Sequence, residues 1–271
     1  MARANSTAEL KTGEGCARSH RAAVFVAALV ASAACFSLVS GETLEGSLLQ
    51  GALLAAVALV AVGVSHPQAL RAPRRACDGL GPWIGYLLFV GAIAGAASLW
   101  LAPVSALDLE PLRAAQVILL CLVTGVFEEG VFRVLALDAL VPALGGDRRA
   151  MARAALVSVV LFGVLHVSLG EAAALDAVSG LQVVLKPLQA CLFGLFMAAM
   201  YFKVRNLWPL VGVHAAFNLL YAGPLLLADV VQQTYVTGST CDLVLLAATV
   251  VLLLPAVWAA IRSFRKKSEN A

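Results

Sequence analysis

Residues 114–143 read AAQVILLCLVTGVFEEGVFRVLALDALVPA, an apolar run broken by Glu128, Glu129 and Arg133 and, later, by Asp138. A helix crosses the roughly 30 Å hydrocarbon core of a bilayer with about 20 mostly apolar residues. This run is long enough to span it, and its extra length predicts a tilt or an end that emerges beyond the hydrocarbon. Seven more apolar runs flank it, at 22–41, 47–65, 82–104, 152–170, 180–202, 207–228 and 241–262. Across the 271 residues, 61% are apolar and only 13% charged, with a mean hydropathy of +0.91. A soluble domain carries roughly 45–50% apolar residues. The composition therefore excludes a soluble enzyme, a disordered tail and a disulfide scaffold. Continuous runs also argue against an outer-membrane barrel, whose strands alternate apolar and polar residues. The expected fold is all-α: a polytopic membrane bundle of about eight transmembrane helices, forming one domain over residues 1–271.

Charge asymmetry gives an orientation. With the N-terminus inside, one side receives Arg3, Lys11, Arg18, Arg21, Arg71, Arg74, Arg75, Arg148, Arg149, Arg153, Lys203, Arg205, Arg262, Arg265, Lys266 and Lys267. That is 16 of the 19 basic residues. The other side collects Glu42, Glu45, Asp108, Glu110, Glu171, Asp176, Asp229 and Asp242, with Arg113 its only basic loop residue. Because Lys and Arg resist translocation, both termini are expected to be cytoplasmic, which fits an even helix count. A cleavable signal ending near Ala33-Ala34-Cys35 is the alternative, but its removal would leave the charge alternation unexplained. The net charge of +3 gives no reason to expect a nucleic-acid partner. None of the six cysteines forms a CxxC pair, and they read as small buried apolar residues.

Ionisable groups inside spans are costly and therefore informative. Glu129 and Arg133 are four apart on one helical face and can pair, whereas Glu128 is rotated by about 100° and can face something else. Phe162 and His166 form a second cluster, and His214 and Asn218 a third, each again at a spacing of four. Each has a structural alternative: a Glu–Arg clamp between helices, or histidine and asparagine as interhelical hydrogen-bonding groups. Together, two acids, two histidines and an amide on three apolar runs suit attack by water on a peptide bond. A carboxylate can take the proton, a histidine can orient the water, and His and Asn can donate to the oxyanion. Glu128, His166 and His214 could instead hold Zn²⁺, although no HExxH helix is present.

Glu128-Glu129-Gly130-Val131-Phe132-Arg133 resembles the EExxxR motif of the CAAX prenyl endopeptidase and bacteriocin-processing (CPBP, or Abi) intramembrane proteases. Leu161-Phe162-Gly163-Val164-Leu165-His166 is similar to their FxxxH motif. Asn206-Leu207-Trp208-Pro209 leading into His214-Ala215-Ala216-Phe217-Asn218 is similar to their HxxxN/D motif. The resemblance covers a core at about 112–228. It implies a conical cavity open to the cytosol and cleavage near substrate C-termini. It also implies Glu128 and His166 as water activators, His214 and Asn218 as the oxyanion site, and Glu129, Arg133 and Phe162 in support. No cofactor is then required. Val134 departs from the glycine that many members carry after the arginine. The substrate would be a membrane-associated protein or peptide, prenylated or bearing a C-terminal sorting signal, at a bacterial plasma membrane. A non-catalytic immunity or scaffold protein and a proton-coupled transporter are the rival classes.

Lys186, beside Pro187, is expected to snorkel out of a kinked span, and Asp138 to reach the cytoplasmic interface or serve a proton path. Trp83, Trp100, Trp208 and Trp258 read as interfacial anchors. The charge alternation yields a direct prediction. A reporter fused after Lys267 should be cytoplasmic, and one inserted in the 229–240 loop should be external; finding both on one side would break the eight-helix scheme.

Overall fold

A computed structural model describes residues 2–71, 77, 79–101, 107–166, 176–228 and 236–266, with helical backbone alone at 2–14, 16, 17 and 263–266. Arg74, Arg75, Glu171, Asp229 and Lys267, used above for orientation, lie outside the described residues, as does the side chain of Cys16. Among the described residues there is no strand. The helices are α1 (Ala2–Leu38), α2 (Leu44–Ser65), α3 (Gly81–Leu101), α4 (Pro111–Glu129), α5 (Ala136–Ala143), α6 (Arg148–Val164), α7 (Ala177–Val204), α8 (Leu207–Tyr221), α9 (Gly223–Leu227) and α10 (Thr240–Lys266). A 3₁₀ turn, Pro67–Leu70, follows α2, and a π-helical turn, Gly130–Leu135, joins α4 to α5. Lipid offers no hydrogen bonds, so backbone groups must be satisfied internally, and several helix starts are capped accordingly. The Thr43 hydroxyl accepts from Gly46 N–H, Asp147 from Ala150, Asp176 from Ser179 and Asn206 from Trp208.

Among the described residues, five helices are long and apolar enough to cross a bilayer: Arg18–Leu38, Leu44–Ser65, Gly81–Leu101, Ala177–Val204 and Thr240–Arg262. The other three expected spans fall short for visible reasons. The run at 114–143 is one helical path interrupted by the π turn and carrying four charges. Helix α6 has 17 residues and opens on Arg148 and Arg149, and α8 has only 15. These three bear all the candidate site residues.

The bundle is built around them. Helix α4 packs between α2 and α8, α8 also contacts α3, and α7 contacts both α6 and α10. Ala58, Val62, Leu87, Val131, Val134, Phe196, Met200 and Leu210 form the dry interior. Val134 is fully buried, so a side chain fits where the resemblance suggests glycine. Close approach falls instead at other glycines: a Cβ at Gly95 would collide with the Leu220 carbonyl oxygen, and one at Gly130 would lie 3.0 Å from Ala58 Cβ. Large apolar side chains such as Val30, Val60, Phe89, Val160, Val184 and Val251 face outward, as expected of a lipid-exposed wall.

The end of the bundle that carries the basic loops is cross-linked by polar contacts. Asp138 Oδ2 accepts from the Tyr201 hydroxyl (2.8 Å) and lies 3.2 Å from His66 Nδ1, while Oδ1 is 2.9 Å from Arg205 Nη1. Burial pulls the His66 pKa below its ordinary value, against the opposing influence of Asp138. Arg205 ends α7 in the left-handed region (φ 50°), a conformation costly for a side chain and held here by Asp138 and the Tyr201 ring. Asn206 donates to the Arg71 carbonyl, and Trp208 Nε1 to that of Leu70. Asp138 therefore ties α5, α7 and the α2 terminus together.

Candidate functional site

The site begins where α4 gives way to the π turn. Such turns insert one residue into a helix and recur at functional positions. The Ser158 hydroxyl on α6 donates to the Phe132 carbonyl within the turn, which ties α6 to it. Glu129 and Arg133 are fully buried. Arg133 Nε lies 3.4 Å from Glu129 Oε2, a charge contact rather than a directed hydrogen bond. The guanidinium also sits 4.5 Å from the centre of the Phe162 ring. Gly194 makes room for it, since a Cβ there would lie 3.1 Å from Arg133 Nη2.

His214 stands between the two glutamates. Its Nδ1 is 2.6 Å from Glu129 Oε1 and its Nε2 is 3.2 Å from Glu128 Oε2. Two such contacts need two hydrogens, and a neutral imidazole supplies one. The second proton resides on His214 or on Glu128. In either placement the charges of Glu128, Glu129, Arg133 and His214 sum to zero. Phe193 packs edge-on against the imidazole, with ring centres 4.8 Å apart. On α6, His166 Nδ1 donates to the Phe162 carbonyl at 2.8 Å, which leaves Nε2 as the ring's base.

Glu128, His166, His214 and Asn218 line one cavity of about 390 Å³. Phe162 contributes to the same wall, whereas Glu129 and Arg133 lie behind it. The sequence paired Glu128 with His166 and His214 with Asn218. In the structure, the ring that touches Glu128 is His214. The three residues considered for Zn²⁺ do not fit as a ligand set: both nitrogens of His214 are engaged by carboxylates, and no group of three potential ligands is assembled among the described residues.

The cavity's outer lining comes from the end of α1 (Phe36), the start of α2 (Ser47, Gln50), the end of α3 (Ser98) and the start of α10 (Asp242). These helix ends are opposite the basic loops, where the Asp138 cluster lies and takes no part in the cavity lining. The basic loops and the outer lining of the cavity therefore lie at opposite ends of the bundle.

Sequence reasoning missed two features. The π turn has no signal in residue spacing. Lys186 does not snorkel: it is 8% exposed, lines the cavity, and donates from Nζ to Gln189 Oε1 at 2.9 Å. A glutamine three residues on, on the same face, was the available signal.

A family model described as type II CAAX prenyl endopeptidase Rce1-like matches residues 110–220, the stretch from the approach to α4 to the end of α8. No curated protein and no solved structure matches the chain.

The two glutamates should separate in their effects on stability. Glu129→Gln leaves a buried guanidinium without its carboxylate, and breaking such a pair costs about 3–5 kcal/mol. Glu128 is partly exposed to the cavity, its side chain 16% accessible, so Glu128→Gln should keep most of the stability. Thermal unfolding in detergent compares them; a more severe loss in Glu128→Gln would reverse the assignment.

Proposed function

The chain belongs, through residues 110–220, to the Rce1-like family of type II CAAX prenyl endopeptidases, and hence to the CPBP intramembrane proteases, and from this premise we propose that it hydrolyses a peptide bond near the C-terminus of a membrane-associated protein. The observation that carries the reading is that Glu128, His166, His214 and Asn218, from three different helices, line a single cavity.

Glu128 acts as general base. Water held between Glu128 and the free Nε2 of His166 attacks the scissile carbonyl and passes a proton to the carboxylate. Protonation removes the negative charge that His214 Nε2 faces, which frees that N–H for the developing oxyanion, beside the Asn218 amide. Collapse of the tetrahedral intermediate breaks the C–N bond, and Glu128 returns the proton to the leaving amine. Glu129 and Arg133 touch none of the reacting atoms; they fix Nδ1 of His214 and so its orientation. No step requires a metal.

The side of approach follows from charge. With the basic loops cytoplasmic, the cavity opens toward the opposite face. That favours substrates whose C-terminal segment lies on the non-cytoplasmic side, such as sorting signals, over prenylated proteins at the cytosolic surface.

Comparative mass spectrometry of membrane-protein C-termini, with active chain and with Glu128→Gln, tests the reading. Loss of a general base costs about 10²–10⁴-fold in rate, so new C-termini should disappear in the variant. Chelator treatment should leave activity intact. Identical C-termini in both strains would sink the protease reading, and loss on chelation restored by Zn²⁺ would replace the carboxylate–histidine mechanism with a metal one.

A further inference from the structure

The cavity contains a cation that hydrolysis does not use. Lys186 lies on α7 one side of the cavity, and its ammonium is positioned by a short polar chain. Nζ donates to Gln189 Oε1 at 2.9 Å, Gln189 Nε2 donates to the Tyr221 hydroxyl at 3.1 Å, and Nζ lies 5.5 Å from the centre of the Tyr221 ring. Gln189 is itself 4% exposed. A buried amide with both ends engaged, one on each neighbour, allows the ammonium little freedom. A lysine buried within a span is costly, and such residues mark functional positions.

A cut made near a C-terminus poses an electrostatic problem. The terminal α-carboxylate lies only a few residues beyond the scissile bond, so binding carries it into the same cavity. Removing a carboxylate from water is strongly unfavourable unless a cation and hydrogen bonds meet it. The volume of about 390 Å³ lies within the range of small-ligand sites, enough for a few residues. Lys186 supplies a compact positive charge there, with the three donors of an ammonium.

We propose that Lys186, held by Gln189 and Tyr221, is a specificity-determining residue that binds the α-carboxylate of the substrate's C-terminus. The proposal rests on the endopeptidase reading and deepens it. It explains how the site could measure distance from a chain end: the carboxylate docks at Lys186 and the bond presented to Glu128 is set by the residues between.

The same chemistry could come from an acidic side chain, and the test separates the two. The probes are fluorescein-labelled decapeptides ending in three apolar residues, made as the free acid, as the C-terminal amide, and as an amide with aspartate last. Binding to the full chain in detergent is followed by fluorescence anisotropy for wild type, Lys186→Met and Lys186→Arg. A charge-assisted hydrogen bond sets the expected size of the effect. Wild type should bind the acid about 10–100-fold more tightly than either amide. Lys186→Met should bind acid and amide alike, with amide affinity close to wild type, which also shows that the variant is folded; Lys186→Arg should restore much of the preference. Equal binding of acid and amide by wild type, or a preference retained in Lys186→Met, overturns the proposal. Tight binding of the aspartate amide overturns the choice of the terminus over a side chain. Cleavage of the same peptides by wild type but not by Glu128→Gln tests the endopeptidase reading separately, because the binding comparison needs no turnover.

Discussion

Arg133 is fully buried in a membrane bundle, and much of the surrounding architecture follows from keeping that charge there. A guanidinium removed from water costs several kcal/mol unless a counter-charge of good geometry meets it. Glu129, one turn earlier, supplies the charge; the Phe162 ring supplies a cation–π face; Gly194 supplies the space. Glu129 is in turn shared with His214, and His214 with Glu128, so the arginine's compensation reaches the wall of the cavity through two contacts. Change the innermost charge and the outermost one loses its setting.

The same arrangement explains why the three site-bearing helices are the ones least like ordinary spans. Their polar groups face one another and not lipid, and the five long apolar helices are available to surround them. At one end Asp138 joins His66, Tyr201 and Arg205; toward the other the cavity is lined by Phe36, Gln50 and Asp242. Lys186 adds a positive charge to a cavity that Glu128 and Asp242 also line.

Much of this was legible in the sequence, for physical reasons. Apolar runs near 20 residues announce helices in lipid, and a spacing of four places Glu129 with Arg133, Phe162 with His166, and His214 with Asn218 on common faces. The convergence of these faces could be suspected, because few other polar groups occupy the runs. The contact between Glu128 and His214 was not legible, since it depends on how α4 and α8 cross. Nor was the π turn, which changes backbone register without changing composition. Lys186 was misread because a lysine near a helix end can reach water, and only the packing of α7 against its neighbours shows that this one stays buried. The run lengths suggested eight spans, and among the described residues α6 and α8 have 17 and 15 residues.

A double-mutant cycle on Glu129 and Arg133 tests the dependence on the buried charges most directly. Glu129→Gln, Arg133→Met and the double variant would be compared with wild type by unfolding in detergent. Each single change should be strongly destabilising, and the double variant should be about 2–3 kcal/mol more stable than additivity allows, because no uncompensated charge remains. Strictly additive losses would mean that Glu129 and Arg133 act independently, and that the charge balance beneath the cavity does not hold the site together.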